Sequence, residues 1–482
     1  MKSPGNLQDC GTSCLTRRQF LGGCAACAAG ISTMAALGGT ALALDSSKSP
    51  ALGGGGKKTK IRLVLAYPSS EGPIWPNIGY DFEGHNKEFV TKLRKACNAA
   101  EFLPSVVMSD ADAEKLVKDD SGVDGYLVYM SGCLWGRVPT IIASTGKPLV
   151  LVDHLFAGSG EFLISYGRVR RQGAKIVPVS SSKMQDIADA VRCIECLKKL
   201  RNSKMLVVGR EPDKNIEEQF GTKIIGLEYA QIQQVYDNIE PEQANRQADK
   251  WIRQAQKVIE PTRKEIEKSA AMYLAMCDLM EKHNAQAIAI NCLNGFYGGH
   301  LTAYPCLGFM QLNNDGYVGA CEADQRSMIT MLLGSYLVGR PGYISDPVID
   351  TSKNQIIYAH CVAPTKVFGP AGSSNPYHIR SHSEDRKGAC PRSLMPLGEM
   401  TTTIKFDAAK KQVILHQGKT VENVDVDRAC RNKLAVEVKG DVFKLLNLWD
   451  QWGWHRVTFF GDFKRQIYNV SSLLGFEVVE EA

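Results

Sequence analysis

Hydrophobic and polar positions along the 482-residue chain change their period twice. From Ile61 onward, short runs apolar at nearly every position alternate with segments apolar every three or four residues. The first kind predicts strands buried on both faces, the second amphipathic helices. Strands are predicted at Ile61–Ala66, Val106–Met108, Gly125–Met130 and Leu149–Val152, with helices over His85–Ala99 and Val138–Ser144. Glu161–Val179 carries no clear period. The alternation then restarts with a helix over Met184–Leu200 and strands at Met205–Val208 and Ile224–Gly226. Long polar helices fill 230–283, before strands at Ala287–Ile290 and Tyr317–Ala320 and a helix over Gln325–Leu337. Beyond about Ile344 the runs become short and turn-punctuated, at Thr401–Phe406, Gln412–His416, Leu434–Val438, Phe443–Leu448 and Arg456–Phe460, which predicts an antiparallel sheet or barrel. A helix (Phe463–Leu474) and a strand (Glu477–Val479) close the chain.

This pattern predicts an α/β chain: two Rossmann-like α/β domains over 60–178 and 179–343, then a β-rich, antiparallel, barrel-like domain over 344–482. Ahead of them lie a polar, Gly-rich linker (44–59) and a segment of different character (1–43). That segment reads Thr16-Arg17-Arg18-Gln19-Phe20-Leu21, followed by a Gly/Ala-rich apolar run and Ala41-Leu42-Ala43. Adjacent arginines before a mild apolar stretch and an A-x-A-like cleavage site resemble a twin-arginine signal peptide. The reading expects the export machinery as a partner and a periplasmic or other extracytoplasmic destination.

Composition adds limits. The chain is 44% hydrophobic and 22% charged, which is ordinary for a globular protein. A net charge of +6, without a basic stripe interleaved with aromatics, gives no support to nucleic-acid binding. Removing residues 1–43 takes away Lys2, Arg17, Arg18 and Asp9, so +4 remains, together with eleven of the fifteen cysteines. Eleven scattered cysteines do not form a disulfide framework. The C-x-x-C of Cys193 and Cys196 falls inside an amphipathic helix, where a face of buried thiols is the simpler reading than a redox or zinc pair.

The chemistry concentrates in Asp315-Gly316-Tyr317-Val318-Gly319-Ala320-Cys321-Glu322-Ala323-Asp324. Glu322 stands where a buried strand ends and a helix begins, the place where open α/β sheets bind ligands. The following helix leads to a strand that carries Asp346, and a βαβ unit would set Glu322 and Asp346 on neighbouring strands. Far downstream, Trp452-Gly453-Trp454-His455 places a histidine at a strand start. Two carboxylates and an imidazole with open positions suit Mn²⁺ or Mg²⁺ better than zinc. Isolated, each of these residues also reads as a cap, an ion-pair partner or a core histidine.

The run Asn291–Ala363, with Pro305-Cys306-Leu307-Gly308, Asp315-Gly316, Cys321-Glu322-Ala323-Asp324 and Ser345-Asp346, resembles the L-fucose/L-arabinose isomerase family, as does Trp452–Val479. The resemblance implies an aldose–ketose isomerase acting on a monosaccharide, a homo-oligomer, and a metal between the second and third domains. It assigns Glu322, Asp346 and His455 as ligands of Mn²⁺ or another divalent cation such as Mg²⁺. Glu322 and Asp346 are also the pair that moves a proton between C1 and C2 through a cis-enediol. Ser345 stands where the arabinose branch has a second glutamate, so the fucose-type pattern fits better. The resemblance leaves His360 as a fourth ligand, a sugar contact or a plain strand residue.

Further substrate contacts are expected from two polar segments. Arg380 and His382 either line a polyol pocket or bind an acidic sugar substituent, or else belong to a solvated loop. Trp135 and Arg137 follow a buried strand, where Trp135 either stacks on a sugar or packs at a helix start, and Trp75 has the same two readings. His300 is expected in a loop near the site. Two competing functions stay open: an exported sugar-binding protein without catalysis, and an isomerase-like enzyme running another enediolate reaction.

Overall fold

A computed structural model describes residues 57–69, 75, 78–157 and 160–482. The expected signal peptide and most of the expected linker lie outside the described residues. Among these residues, no helix is long and apolar enough to cross a membrane.

The first sheet is built from β1 (Thr59–Ala66), β2 (Ala100–Val107), β3 (Gly125–Met130), β4 (Leu149–Asp153) and β5 (Ile176–Ser180), all parallel in the order β2-β1-β3-β4-β5. Its central strand β3 is buried at every position, as a helix-covered parallel strand must be. Both edge strands were harder to see in the sequence. β2 begins at Ala100 rather than Val106, and the stretch without period resolves into a helix (Glu161–Arg171) and β5. Each edge strand contains a proline, Pro104 or Pro178, which an edge tolerates because one side of the strand has no ladder partner.

The second sheet repeats the winding. Here β6 (Lys204–Val208), β7 (Lys223–Leu227), β9 (Ala287–Ile290) and β10 (Val318–Ala320) are parallel in the order β10-β9-β6-β7. A two-residue strand β8 (Lys257–Val258) instead pairs in parallel with β13 (Tyr377–Arg380), which pairs antiparallel with β14 (Cys390–Ser393). The predicted polar helices of 230–283 are three: Tyr229–Asp237, Pro241–Gln254 and Arg263–His283.

The last part is a closed antiparallel barrel. Its six strands are β11 (Tyr343–Asp350), β12 (Gln355–His360), β15 (Met400–Asp407), β16 (Gln412–Asn423), β17 (Asn432–Val438) and β18 (Arg456–Phe460). They run β15-β18-β11-β12-β17-β16 and close by β15 pairing with β16. A terminal strand β19 (Glu477–Glu480) adds in parallel to β16. The predicted strand at Phe443–Leu448 is a helix, Val442–Leu448. Asp441 accepts from the Phe443 N–H at its start, and Val442 and Leu445 are buried at helical spacing, which a short apolar run cannot distinguish from a strand.

Alternation within the barrel decides where the chemistry faces. Ile344, Ile404, Val457 and Phe459 point outward and join the core formed with the helix Gln325–Val338. By the two-residue period of a strand, Asp346 shares the face of Ile344, and His455 that of Val457. Both therefore look out of the barrel toward the second sheet. Inside the barrel lies a polar network in which Glu481 receives Arg456 Nη2 (3.0 Å) and pairs with His416 Nδ1 (2.9 Å), all fully shielded from solvent.

The eleven cysteines among the described residues are all unpaired, and ten are buried. Cys193 Sγ contacts the Asp189 carbonyl and Cys196 Sγ the Leu333 carbonyl, so both thiols are core, as the helix reading expected.

Candidate metal centre

The site forms where the carboxyl end of β10 meets the outer face of the barrel. Glu322 and Ala323 follow β10 with φ of 57° and 49°, left-handed values that non-glycine residues adopt at a cost of about 1–3 kcal/mol each. Surrounding bonds impose that conformation. The Ala323 N–H reaches the Ile290 carbonyl (2.9 Å), and Asp324 caps the next helix by accepting from the Ser327 N–H (3.0 Å). The turn directs Glu322 to the barrel.

On the barrel side, Gly453 (φ 79°, ψ −171°) makes a turn essentially closed to other residues, and His455 follows it. His455 Nε2 lies 3.2 Å from Asp346 Oδ1 and 3.5 Å from Glu322 Oε2. His360 ends β12 with its Nε2 3.8 Å from Glu322 Oε1, and its ring sits 5.4 Å from that of His455. Neither Nε2 has a hydrogen-bond partner of acceptable geometry, although both rings are buried. Donor atoms of Asp346, His360 and His455 lie within 4.8 Å of one another, as do those of Cys321, Glu322 and His360. Orphaned imidazole nitrogens aimed at carboxylates suit a cation, which would satisfy all of them at once.

Glu322, Asp346 and His455 thus meet, but not through a βαβ unit. β10 belongs to the second sheet, whereas β11 pairs antiparallel with β12 and β18 in the barrel. The two acids converge because two sheets face each other. His360 joins the cluster, which favours its ligand reading over that of a plain strand residue.

Two residues that sequence reasoning gave no role complete the surroundings. Asp324 Oδ2 accepts from His455 Nδ1 (2.9 Å), and Lys405 Nζ stands 3.4 Å from the same oxygen. This carboxylate fixes the ring so that Nε2 faces the acids, the usual support of a metal-bound histidine. Burial opposes charge on Asp324, but Lys405 and His455 overcome it and hold the carboxyl well below its ordinary range. Burial likewise opposes the His455 imidazolium, yet the Asp324 and Asp346 carboxylates raise it to about 9. A cation entering here must displace that proton. Replacing Asp324 by Asn should weaken Mn²⁺ binding about 10–100-fold while leaving the ligands in place. Titration followed by electron paramagnetic resonance measures this, and unchanged affinity would remove Asp324 from the site.

The second unforeseen residue is Trp454, 71% exposed and within hydrogen-bonding reach of Asp346. It is thus an exposed aromatic residue beside the cluster, which is where Trp135 had been expected. Trp135 is exposed on the rim of the first sheet, and Arg137 there pairs with Asp110 (3.1 Å). Trp75 is also exposed. Among the described residues, none of these three pairs with a member of the His455 cluster. His300 lies in a loop and stacks on Tyr229. His382 packs against Tyr304 with Nδ1 3.4 Å from Asp385 Oδ1. Arg380 donates from Nε to both oxygens of Glu260 (2.8 and 2.7 Å).

No protein-family model matches the chain. Over 319 residues it is 23% identical to a sulfoquinovose isomerase of Clostridium sp. (strain MSTE9), covering 62% of this chain and 69% of that protein. Shorter stretches of 86 residues are 34% identical to sulfoquinovose isomerases of Priestia aryabhattai and Priestia megaterium (strain ATCC 12872 / QMB1551), covering 17% of this chain and 19% of each relative. By sequence, then, the chain is similar over most of its length to one sulfoquinovose isomerase and over a short stretch to two more.

Proposed function

We propose that this chain is a divalent-metal-dependent aldose–ketose isomerase acting on a six-carbon sugar. One observation carries the reading: the unpartnered Nε2 atoms of His360 and His455 converge with the carboxylates of Glu322 and Asp346 between the second sheet and the barrel. Similarity to sulfoquinovose isomerases supports it and makes sulfoquinovose the first substrate to test.

Glu322, Asp346 and His455 would hold the ion, with His360 completing the set. Mixed carboxylate and imidazole donors suit Mn²⁺, with Mg²⁺ the next choice. When bound, the ion supplies positive charge where negative charge develops on the sugar oxygens. The chain's own residues do the rest. Interconversion of aldose and ketose moves one proton between C1 and C2 through a cis-enediol, and a carboxylate must take it and return it. Glu322 is the freer acid, since it is partly exposed and approaches the two imidazoles only at 3.8 and 3.5 Å. Asp346 is turned onto His455 (3.2 Å), and although burial opposes its ionisation, the nearby His455 and His360 imidazoles outweigh burial and keep its carboxyl below the ordinary range. Glu322 is therefore the proton carrier and Asp346 the second carboxylate of the pair. Trp454 presents its face to the C–H side of the sugar.

Incubation of Mn²⁺-loaded protein with sulfoquinovose and unsubstituted aldohexoses in D₂O tests the reading. Deuterium should enter at C2 of the aldose and C1 of the ketose, and a chelator should stop it. Absence of exchange on every sugar, with metal bound, would sink the isomerase reading.

A further inference from the structure

Sulfur borders the metal cluster. Cys321 directly follows β10, and its Sγ, a carboxylate oxygen of Glu322 and His360 Nε2 all lie within 4.8 Å of one another. Of the cysteines among the described residues, Cys321 alone falls in such a set. Cys193 and Cys196, by contrast, turn their sulfurs to main-chain carbonyls. Cys321 is 4% exposed and His360 2%, and the His360 Nε2 aimed at this sulfur side has no hydrogen-bond partner. A buried imidazole nitrogen without a partner calls for one, and a cation among these donors would supply it.

Two donor sets therefore overlap, Asp346 with His360 and His455, and Cys321 with Glu322 and His360. His360 Nε2 belongs to both, and an imidazole nitrogen has one lone pair, so a single ion uses it at a time. Glu322 spans the two, with Oε1 3.8 Å from His360 Nε2 and Oε2 3.5 Å from His455 Nε2. Donor chemistry tells the positions apart. Carboxylate and imidazole suit Mn²⁺ or Mg²⁺, whereas a thiolate selects zinc and softer ions. Zinc–ligand lengths of about 2.0–2.3 Å at tetrahedral angles set donor atoms roughly 3.3–3.8 Å apart. The 3.8 Å between His360 and Glu322 is already in that range. The Glu322 side chain is 34% exposed, which leaves the fourth position open to water. Two adjustments accompany binding. The Cys321 thiol releases its proton to solvent, and the thiolate keeps Cys292 Sγ at 3.2 Å as a hydrogen-bond donor. With a metal on Nε2, the His360 proton sits on Nδ1, which gives up its long contact with the Val362 N–H (3.3 Å).

We infer that the cluster offers two mutually exclusive ion positions, and that Cys321, Glu322 and His360 form the second, which takes Zn²⁺ or another thiophilic divalent cation. An ion held there ties up Glu322, the proton carrier, together with His360. It therefore blocks the Mn²⁺ position and proton exchange at the sugar in one step. The block rests on the isomerase reading, whereas the ion position does not.

Co²⁺ serves as the spectroscopic stand-in for zinc, added to the full metal-free chain with a thiol-free reductant that keeps Cys292 and Cys321 reduced. A thiolate-to-cobalt charge-transfer band should appear in the near ultraviolet and vanish when Zn²⁺ is added. Cys321→Ser should lose the band and weaken zinc binding on the order of 100-fold or more, since even the outer partners of metal ligands are worth about 10–100-fold. Its Mn²⁺ affinity, followed by electron paramagnetic resonance, should match the parent's, which excludes a folding defect. Asp346→Asn should do the reverse, keeping the cobalt band while losing Mn²⁺. Zn²⁺ should also stop deuterium exchange by the Mn²⁺-loaded parent, at a concentration about 100-fold lower than in Cys321→Ser. No band with Co²⁺ bound, a band that survives Cys321→Ser, or one that disappears in Asp346→Asn would overturn the second position and leave the isomerase intact. A band lost in Cys321→Ser and kept in Asp346→Asn, without exchange on any sugar, would retain the position and remove the isomerase reading.

Discussion

Replacing Asp346 by Asn should abolish Mn²⁺ binding and lower proton exchange at the sugar by about 10³-fold, with the protein still folded. Asn keeps the shape of the side chain but removes the charge that faces His455 Nε2 at 3.2 Å. His455 stays oriented, because its other nitrogen keeps Asp324 at 2.9 Å. The loss is therefore electrostatic rather than architectural, and the melting temperature of the metal-free protein should change little. Electron paramagnetic resonance titration, exchange in D₂O and thermal unfolding report the three quantities separately. A variant that binds Mn²⁺ and exchanges protons like the parent would show that Asp346 is no ligand. Loss of folding would show instead that the acid is structural.

The second large effect concerns stability. Glu481→Gln should destabilise the protein by about 3–5 kcal/mol, seen as a melting temperature lower by on the order of 10 °C. Glu481 and Arg456 are fully enclosed in the barrel, with His416 on the same carboxylate and Trp449 stacked 4.0 Å from the guanidinium. Removing one charge strands the other in a place without water. Burial opposes ionisation of Glu481, yet His416 and Arg456 hold its carboxyl down at about 2. A depressed folded-state value stabilises the fold above the ordinary glutamate range, and that contribution is lost as pH falls toward 2. Parent stability should therefore decline below about pH 4.5, with Glu481→Gln declining less steeply. Adding Arg456→Met to Glu481→Gln should recover part of the loss, since a neutral pair leaves no uncompensated charge. A single variant melting within a degree or two of the parent would refute the role of this pair.

Both effects begin at residues whose partners lie far away in sequence, which marks the boundary of sequence reasoning here. Central strands such as β3 and β9 were legible because burial on both faces makes them continuous apolar runs. The edge strands β2 and β5 were not, since half-exposed strands carry polar residues and proline. Glu322, Asp346 and His455 were nameable from their positions at strand ends and from family resemblance, although the βαβ route proposed to join the acids was wrong.

What the sequence determined by itself is the order of elements, two alternating α/β runs followed by short antiparallel strands, and the residues rich enough in chemistry to watch. Those follow from local period and turn chemistry, which act over a few residues. Tertiary structure alone decided that β11 enters the barrel, that His360 turns its free nitrogen to Glu322, that Asp324 orients His455 from 131 positions away, and that Trp454 lies beside Asp346. Such contacts depend on strand register and on how one sheet faces another, and neither leaves a trace in the local pattern of the chain.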